Sequence, residues 1–229
     1  MKNDFLLTNL LTNFKSSQSS LNNPINVSHC LMNSPLRFKI CVIGSAGTGK
    51  SSIINKLINN TFSESTEATV GVDFHTLKMA IDNETTINLD IWDSAGQERY
   101  KSVAKGYFRD AHGCVLVFDI TNPSSFNELS YWLNEFRLLA HENAFILLIG
   151  NKKDLEDKRQ ISPQTAEEYA QEKSLIYLET SAYDGTNIKE TFERLAQGII
   201  DLVQNKKIVI TAPIHQKEIQ KENKDGVCC

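Results

Sequence analysis

A chain of 229 residues with 41% hydrophobic and 23% charged side chains can bury one full α/β core, with room for a tail at each end. Its net charge of −4 offers no basic face for a phosphate backbone, so nucleic acid is not an expected partner. The five cysteines, Cys30, Cys41, Cys114, Cys228 and Cys229, are odd in number and hold no Cys-x-x-Cys pair, which speaks against a disulfide framework or zinc site and for a reducing compartment.

Residues 1–36 are rich in Asn and Ser and have little to pack, so a disordered N-terminal extension is expected. Phe5, Leu6, Leu7, Leu10, Leu11 and Phe14 fall near helical spacing, which leaves an amphipathic surface helix as the alternative. The same run is broken by Thr8, Asn9, Thr12 and Asn13, carries Asp4 and lacks a small-residue cleavage site, unlike a secretory signal. No uninterrupted apolar stretch approaches the ~20 residues that span a bilayer. Membrane contact is therefore expected only through an anchor.

At Arg37 the texture changes. Phe38 to Ile43 reads as an apolar strand ending in a Gly-rich turn, and Ile53, Ile54, Leu57 and Ile58 then recur at helical spacing. Val72 to Ile81 and Thr86 to Trp92 read as a hairpin across the polar turn Asp82-Asn83-Glu84. Cys114 to Phe118 and Phe145 to Ile149 are continuous apolar runs, as strands buried on both faces should be, and Leu175 to Leu178 is a weaker sixth strand. Helix starts are read at Ser125-Phe126-Asn127-Glu128 and Asn187-Ile188-Lys189-Glu190 as capping boxes, and at Ser162-Pro163 as an N-cap followed by Pro. The order β-α-β-β-α-β-α-β-α-β-α predicts an α/β fold with a doubly wound, mostly parallel six-stranded sheet, one strand antiparallel, and ligands at the carboxyl ends of the strands. Residues 37–204 form the predicted domain, followed by a flexible tail over 205–229.

Three segments carry chemistry. Gly44-Ser45-Ala46-Gly47-Thr48-Gly49-Lys50-Ser51 matches a phosphate loop and stands between strand and helix, as the motif requires. Its glycines let backbone N–H groups curl around phosphate oxygens, Lys50 can reach the β and γ phosphates, and the Ser51 hydroxyl can ligate Mg²⁺. Asn151-Lys152-Lys153-Asp154, after the fifth strand, selects the base: the Asp154 carboxylate accepts both N–H donors of the guanine edge, whereas adenine meets it with a lone pair. Trp92-Asp93-Ser94-Ala95-Gly96-Gln97-Glu98 ends the third strand, with Asp93 placed to hold Mg²⁺ through water, the Gly96 N–H to meet the γ-phosphate and Gln97 to orient the attacking water.

In this order the segments resemble the nucleotide motifs of Ras-like small GTPases over Arg37 to about Gln204, and within them the chain is most similar to the Rab family. Thr69-Val70-Gly71-Val72-Asp73-Phe74, Ile91 to Tyr100, Gly106-Tyr107-Phe108-Arg109-Asp110-Ala111 and the terminal Cys228-Cys229 are similar to Rab segments. The resemblance implies a P-loop GTPase fold and further roles. Thr69 would ligate Mg²⁺ and touch the γ-phosphate, and Phe62 would stack on guanine. Glu179-Thr180-Ser181-Ala182 would read the guanine oxygen through the Ala182 N–H, and Cys228 and Cys229 would be prenylated. Ser52 and Ser181 join the implied GTP-binding set. Two residues depart from the pattern: Ala46 stands where Rabs usually have Ser, and Ser94 replaces a usual Thr, which bears on how Gln97 is seated.

The expected function is a GTP/GDP switch. Slow GTP hydrolysis releases Thr69 and Gly96, and the order of their loops decides whether effectors bind. The resemblance implies effector proteins, an exchange factor, a GTPase-activating protein, prenylation escort machinery and a GDP-dissociation inhibitor as partners of a monomer. It places the chain on the cytoplasmic face of an intracellular membrane in vesicle traffic, with a cytosolic pool. An ATP-using P-loop phosphotransferase and a non-hydrolysing GTP-binding scaffold are the rival readings. Asp154 argues against the first, and Ala46 motivates the second.

Overall fold

In a computed structural model the described residues are 36–63, 69–81, 85–96 and 101–208, without the side chains of 101–104. The elements are β1 (Leu36–Ile43), α1 (Lys50–Asn59), β2 (Val72–Ala80), β3 (Thr86–Ser94), α2 (Lys101–Phe108), β4 (Gly113–Asp119), α3 (Pro123–Asn127), α4 (Leu129–Leu139), β5 (Phe145–Asn151), α5 (Pro163–Glu172), β6 (Ile176–Thr180) and α6 (Ile188–Gln204), with a 3₁₀ segment over Lys153–Lys158. The sheet order is β2-β3-β1-β4-β5-β6. All neighbours are parallel except β2 and β3, which pair antiparallel from Val72↔Ser94 to Ala80↔Thr86. This is the predicted α/β sheet. The turn residues Asp82, Asn83 and Glu84 lie outside the described residues.

The parallel strands need cover on both faces, and their alternating side chains divide the core in two. Phe38, Ile40 and Val42 of β1 point to α1 and α6, meeting Ile53, Ile54, Phe192, Leu195 and Ile199. Cys41 and Ile43 point the other way, joining Phe108 and the α4 residues Trp132, Leu133 and Phe136. Each Leu, Ile or Phe so buried contributes about 1.5–3 kcal/mol of transfer free energy. β4 is buried at all seven residues, which explains why Cys114 to Phe118 reads as an unbroken apolar run. β1 lies where the winding reverses, between β3 and β4, so its carboxyl end opens onto a crevice.

Two of the three predicted helix starts fall at the observed N-caps, Ser162 and Asn187, although Asn187 lacks the predicted side-chain cap, and the third is misplaced. Ser162 caps α5 by accepting from Thr165 N, with Pro163 in the first turn. Near it, beyond the carboxyl end of β4, Asn122 and not Ser125 caps α3, and Ser125 instead donates to Asn122 O and receives Asp119 N. Asn187 takes a left-handed conformation (φ 56°) with no side-chain cap, because its amide donates to Glu179 O at 2.7 Å. A tertiary hydrogen bond has outcompeted the local cap. α3 and the 3₁₀ segment are additions to the predicted order, both too short to show a period. Beyond α6 the chain turns back, and Ile208 is buried, with its N–H on Leu202 O.

Candidate nucleotide-binding site

The loop Gly44 to Ser51 leaves β1 and enters α1 with Gly49 in the left-handed region (φ 88°) and no side chain capping the helix. The first N–H groups of α1 are thus left for an external acceptor. A side chain at Gly49 would be strained by that φ and would also stand 2.4 Å from Asn151 Nδ2. That amide is committed: it donates to Thr48 O at 2.8 Å, and its oxygen accepts from Thr180 Oγ1 at 3.1 Å. Asn151 therefore ties the phosphate loop to the ends of β5 and β6. Ser45 and Thr48 are buried, Ser45 Oγ donating to Glu128 Oε2 at 3.0 Å and Thr48 Oγ1 to Ser45 O at 3.0 Å, while Ala46 and Gly47 face solvent.

Lys50 is buried and donates to Ser45 O at 2.9 Å. Burial lowers its ammonium to about 8, opposed by the charge of Asp93. The Asp93 carboxyl is pushed up by burial, with the Ser51 hydrogen bond and Lys50 pulling against it. Ser51 Oγ donates to Asp93 Oδ2 and lies 2.8 Å from Thr69 Oγ1. Asp93 Oδ1 is buried and has no hydrogen-bond partner among the described residues. One buried cation and one orphaned carboxylate oxygen, side by side, match an anionic phosphate with a hard cation. The three oxygens assigned to Mg²⁺ do converge. Gly96 approaches the loop closely, since a Cβ on it would stand 2.4 Å from Ala46 N. Ser94 Oγ is occupied by Val42 O at 2.9 Å, so it braces β3 against β1. Gln97 lies outside the described residues.

Beside the loop opens a pocket of about 610 Å³ lined by Gly47, Gly49, Ser52, Phe62, Asn151, Lys152, Asp154, Ala182 and others. Lys152, held left-handed at φ 71°, sends its ammonium to Asp119 Oδ2 at 2.6 Å. Asp154 Oδ1 accepts from Ser181 Oγ at 2.6 Å, which joins the two segments assigned to the base. Phe62 meets the ring of Tyr183 edge to face at 5.4 Å. Asp119 and Tyr183 were not anticipated. An acid ending the apolar β4 at the carboxyl edge was a readable signal for the first, whereas Tyr183 has no motif of its own.

The model of the Ras family matches residues 39–201. The chain belongs to the Ras family of small GTPases. It is similar to the Ras-related protein Rab-11C of Dictyostelium discoideum, 44% identical over 173 residues, 76% of this chain and 77% of that one. Human Rab-4B is 43% identical over 168 residues, covering 73% and 78%, and tobacco Rab11D 42% over 171 residues, covering 75% and 77%. This Ras-family protein is thus a Rab-type GTPase, a GTP hydrolase of the class that serves vesicle trafficking. That membership sets aside the ATP-using phosphotransferase and the non-hydrolysing scaffold as readings of this GTPase.

Proposed function

We propose that residues 37–204 work as a Mg²⁺-dependent GTP/GDP switch between an N-terminal extension, 1–36, and a lipid-bearing tail, 205–229. The observation that carries this reading is the meeting of Ser51, Thr69 and Asp93 beside buried Lys50, with one Asp93 oxygen unpartnered. Gly44 to Ser52 cradle the phosphates, Lys50 answers their charge, and Asn151 keeps the cradle in register with the base site. Phe62 and the Lys152 stem flank the guanine, Asp154 accepts its two donors, and the Ala182 N–H donates to its oxygen while Ser181 holds the Asp154 carboxylate in place.

Ser51, Thr69 and Asp93 suit Mg²⁺, which favours hard oxygen donors. Bound with nucleotide, it would neutralise charge on the β and γ phosphate oxygens. Gln97 would orient the attacking water, and an arginine supplied in trans would raise a slow intrinsic turnover by about 10³–10⁵ in rate. Thr69 lies one residue before the exposed Val70 and five before the exposed Phe74, so loss of the γ-phosphate is read out directly on an apolar surface fit for effectors.

No helix among the described residues is long and apolar enough to cross a membrane. Attachment to the cytoplasmic face of an intracellular membrane is assigned to Cys228 and Cys229, which lie outside the described residues. The partners that follow are effectors, an exchange factor, a GTPase-activating protein, prenylation escort machinery and a GDP-dissociation inhibitor. A competition of GTP, GDP and ATP for the purified chain, followed by single-turnover hydrolysis with and without an activator, tests the reading. Tight GTP and GDP binding with stimulated hydrolysis is expected, and preference for ATP would overturn it.

A further inference from the structure

The 3₁₀ segment that carries Asp154 buries none of its residues, so the apolar core does not fix its position. Polar ties must do so. In front, Ser181 Oγ donates to Asp154 Oδ1 at 2.6 Å. Behind, Arg159 forks in two directions. Its Nε and Nη2 donate to Glu156, two residues beyond Asp154, at 2.7 and 2.6 Å. Its Nη1 and Nη2 also donate to Glu179, two residues before Ser181, at 2.9 and 2.9 Å. The guanidinium and Glu179 are each only 12% exposed, and Glu179 is further seated by Tyr177 OH at 2.7 Å and by Lys153 at 3.9 Å. The Glu179 carbonyl accepts from Asn187 Nδ2 at 2.7 Å, which fixes the start of the loop to Ala182.

We infer that Arg159 is a positioning residue for base recognition: by clamping Glu156 to Glu179 it sets the spacing between Asp154 and Ala182, and hence the selectivity for guanine. The inference rests on the reading above that those two residues contact the base. A planar guanidinium with paired N–H donors can span two carboxylates in fixed directions, which an ammonium cannot, so geometry as well as charge is at stake. Asp154 itself is exposed, and a carboxylate that shifts by a fraction of an ångström loses one of its two guanine donors before the other. The clamp therefore acts on discrimination more than on phosphate binding.

The test displaces N-methylanthraniloyl-GDP from the full chain with GDP and with IDP, whose base lacks the amino group that Asp154 would hold. In the wild type GDP should bind much more tightly than IDP. Arg159→Ala should lower the IDP-to-GDP ratio of dissociation constants about tenfold, Arg159→Lys should fail to restore it, and Glu179→Gln should change it in the same direction. Should Arg159→Ala not fold, Glu179→Gln and the exposed-side Glu156→Ala carry the measurement with the same expected sign. Variants that melt earlier yet keep the wild-type ratio would overturn the clamp and leave only a structural ion pair. A wild type that binds GDP without preferring it to IDP would overturn the base assignment and the clamp with it.

Discussion

The hydroxyl of Ser51, in the first turn of α1, lies 2.8 Å from that of Thr69, eighteen positions along and just ahead of β2. Because Ser51 also donates to Asp93, one serine joins the phosphate loop to the segment ahead of β2 and to the end of β3. Replacing it with Asn should remove the small hydroxyl ligand while leaving the loop backbone intact. The expected result is weakened Mg²⁺ dependence and a bias to GDP, seen by nucleotide affinity at several Mg²⁺ concentrations. Wild-type GTP affinity and Mg²⁺ response in this variant would remove Ser51 from the ligand set.

Asp154→Asn turns an acceptor of two donors into a group with one acceptor and one donor end. Guanine affinity should fall by about 10²-fold or more, with the preference over ATP reduced. The loss is read by competition binding, and an unchanged GTP-over-ATP ratio would contradict the assignment.

Gln97→Leu should slow single-turnover hydrolysis by about 10²-fold or more at nearly unchanged GTP affinity, since Gln97 is assigned to the water and not to the nucleotide. Equal rates in variant and wild type would mean that Gln97 does not act, and Ala46 would be the first residue to exchange for Ser.

His112 supplies a pH dependence of stability. Its Nδ1 accepts the Lys39 N–H at 2.9 Å, a bond that only the neutral ring makes. Burial lowers its pKa, helped by His141 and Lys39 and opposed by Asp110. With the folded pKa below the unfolded one, the stabilisation is complete above the unfolded value near 6.5 and is lost as pH falls toward the folded value. Urea midpoints should drop between pH 7.5 and 5.5, and His112→Ala should be about 1 kcal/mol less stable at neutral pH with a flatter pH profile. A profile as steep as that of the wild type would assign the dependence elsewhere.

The tail after Gln204 carries five lysines against three acids, too small an excess to hold a membrane at ~1 kcal/mol per basic residue. One lipid chain binds marginally and two bind stably. Changing Cys228 and Cys229 to Ser should release the chain to the soluble fraction without altering GTP binding. Membrane association that survives the change would shift attention to Phe5, Leu6, Leu7, Leu10, Leu11 and Phe14.

By itself, the sequence determined what depends on contiguous residues. Strand cores buried on both faces, such as Cys114 to Phe118, must be apolar throughout, and a phosphate cradle needs its glycines, lysine and serine within one loop, so both could be read directly. Strand order, the convergence of Ser51, Thr69 and Asp93, and the pairing of Lys152 with Asp119 join residues tens of positions apart, and only the folded sheet brings them together. Asn187 makes the distinction concrete. Its sequence neighbourhood favours a helix cap, yet Glu179 O, eight residues back across the β6–α6 connection, is the acceptor it meets. The same is true of Arg159, an unremarked residue in a charged loop until β6 sets Glu179 against it. Local propensities differ by about 1 kcal/mol or less, so wherever the tertiary fold offers a buried charged or amide partner, that partner decides the conformation.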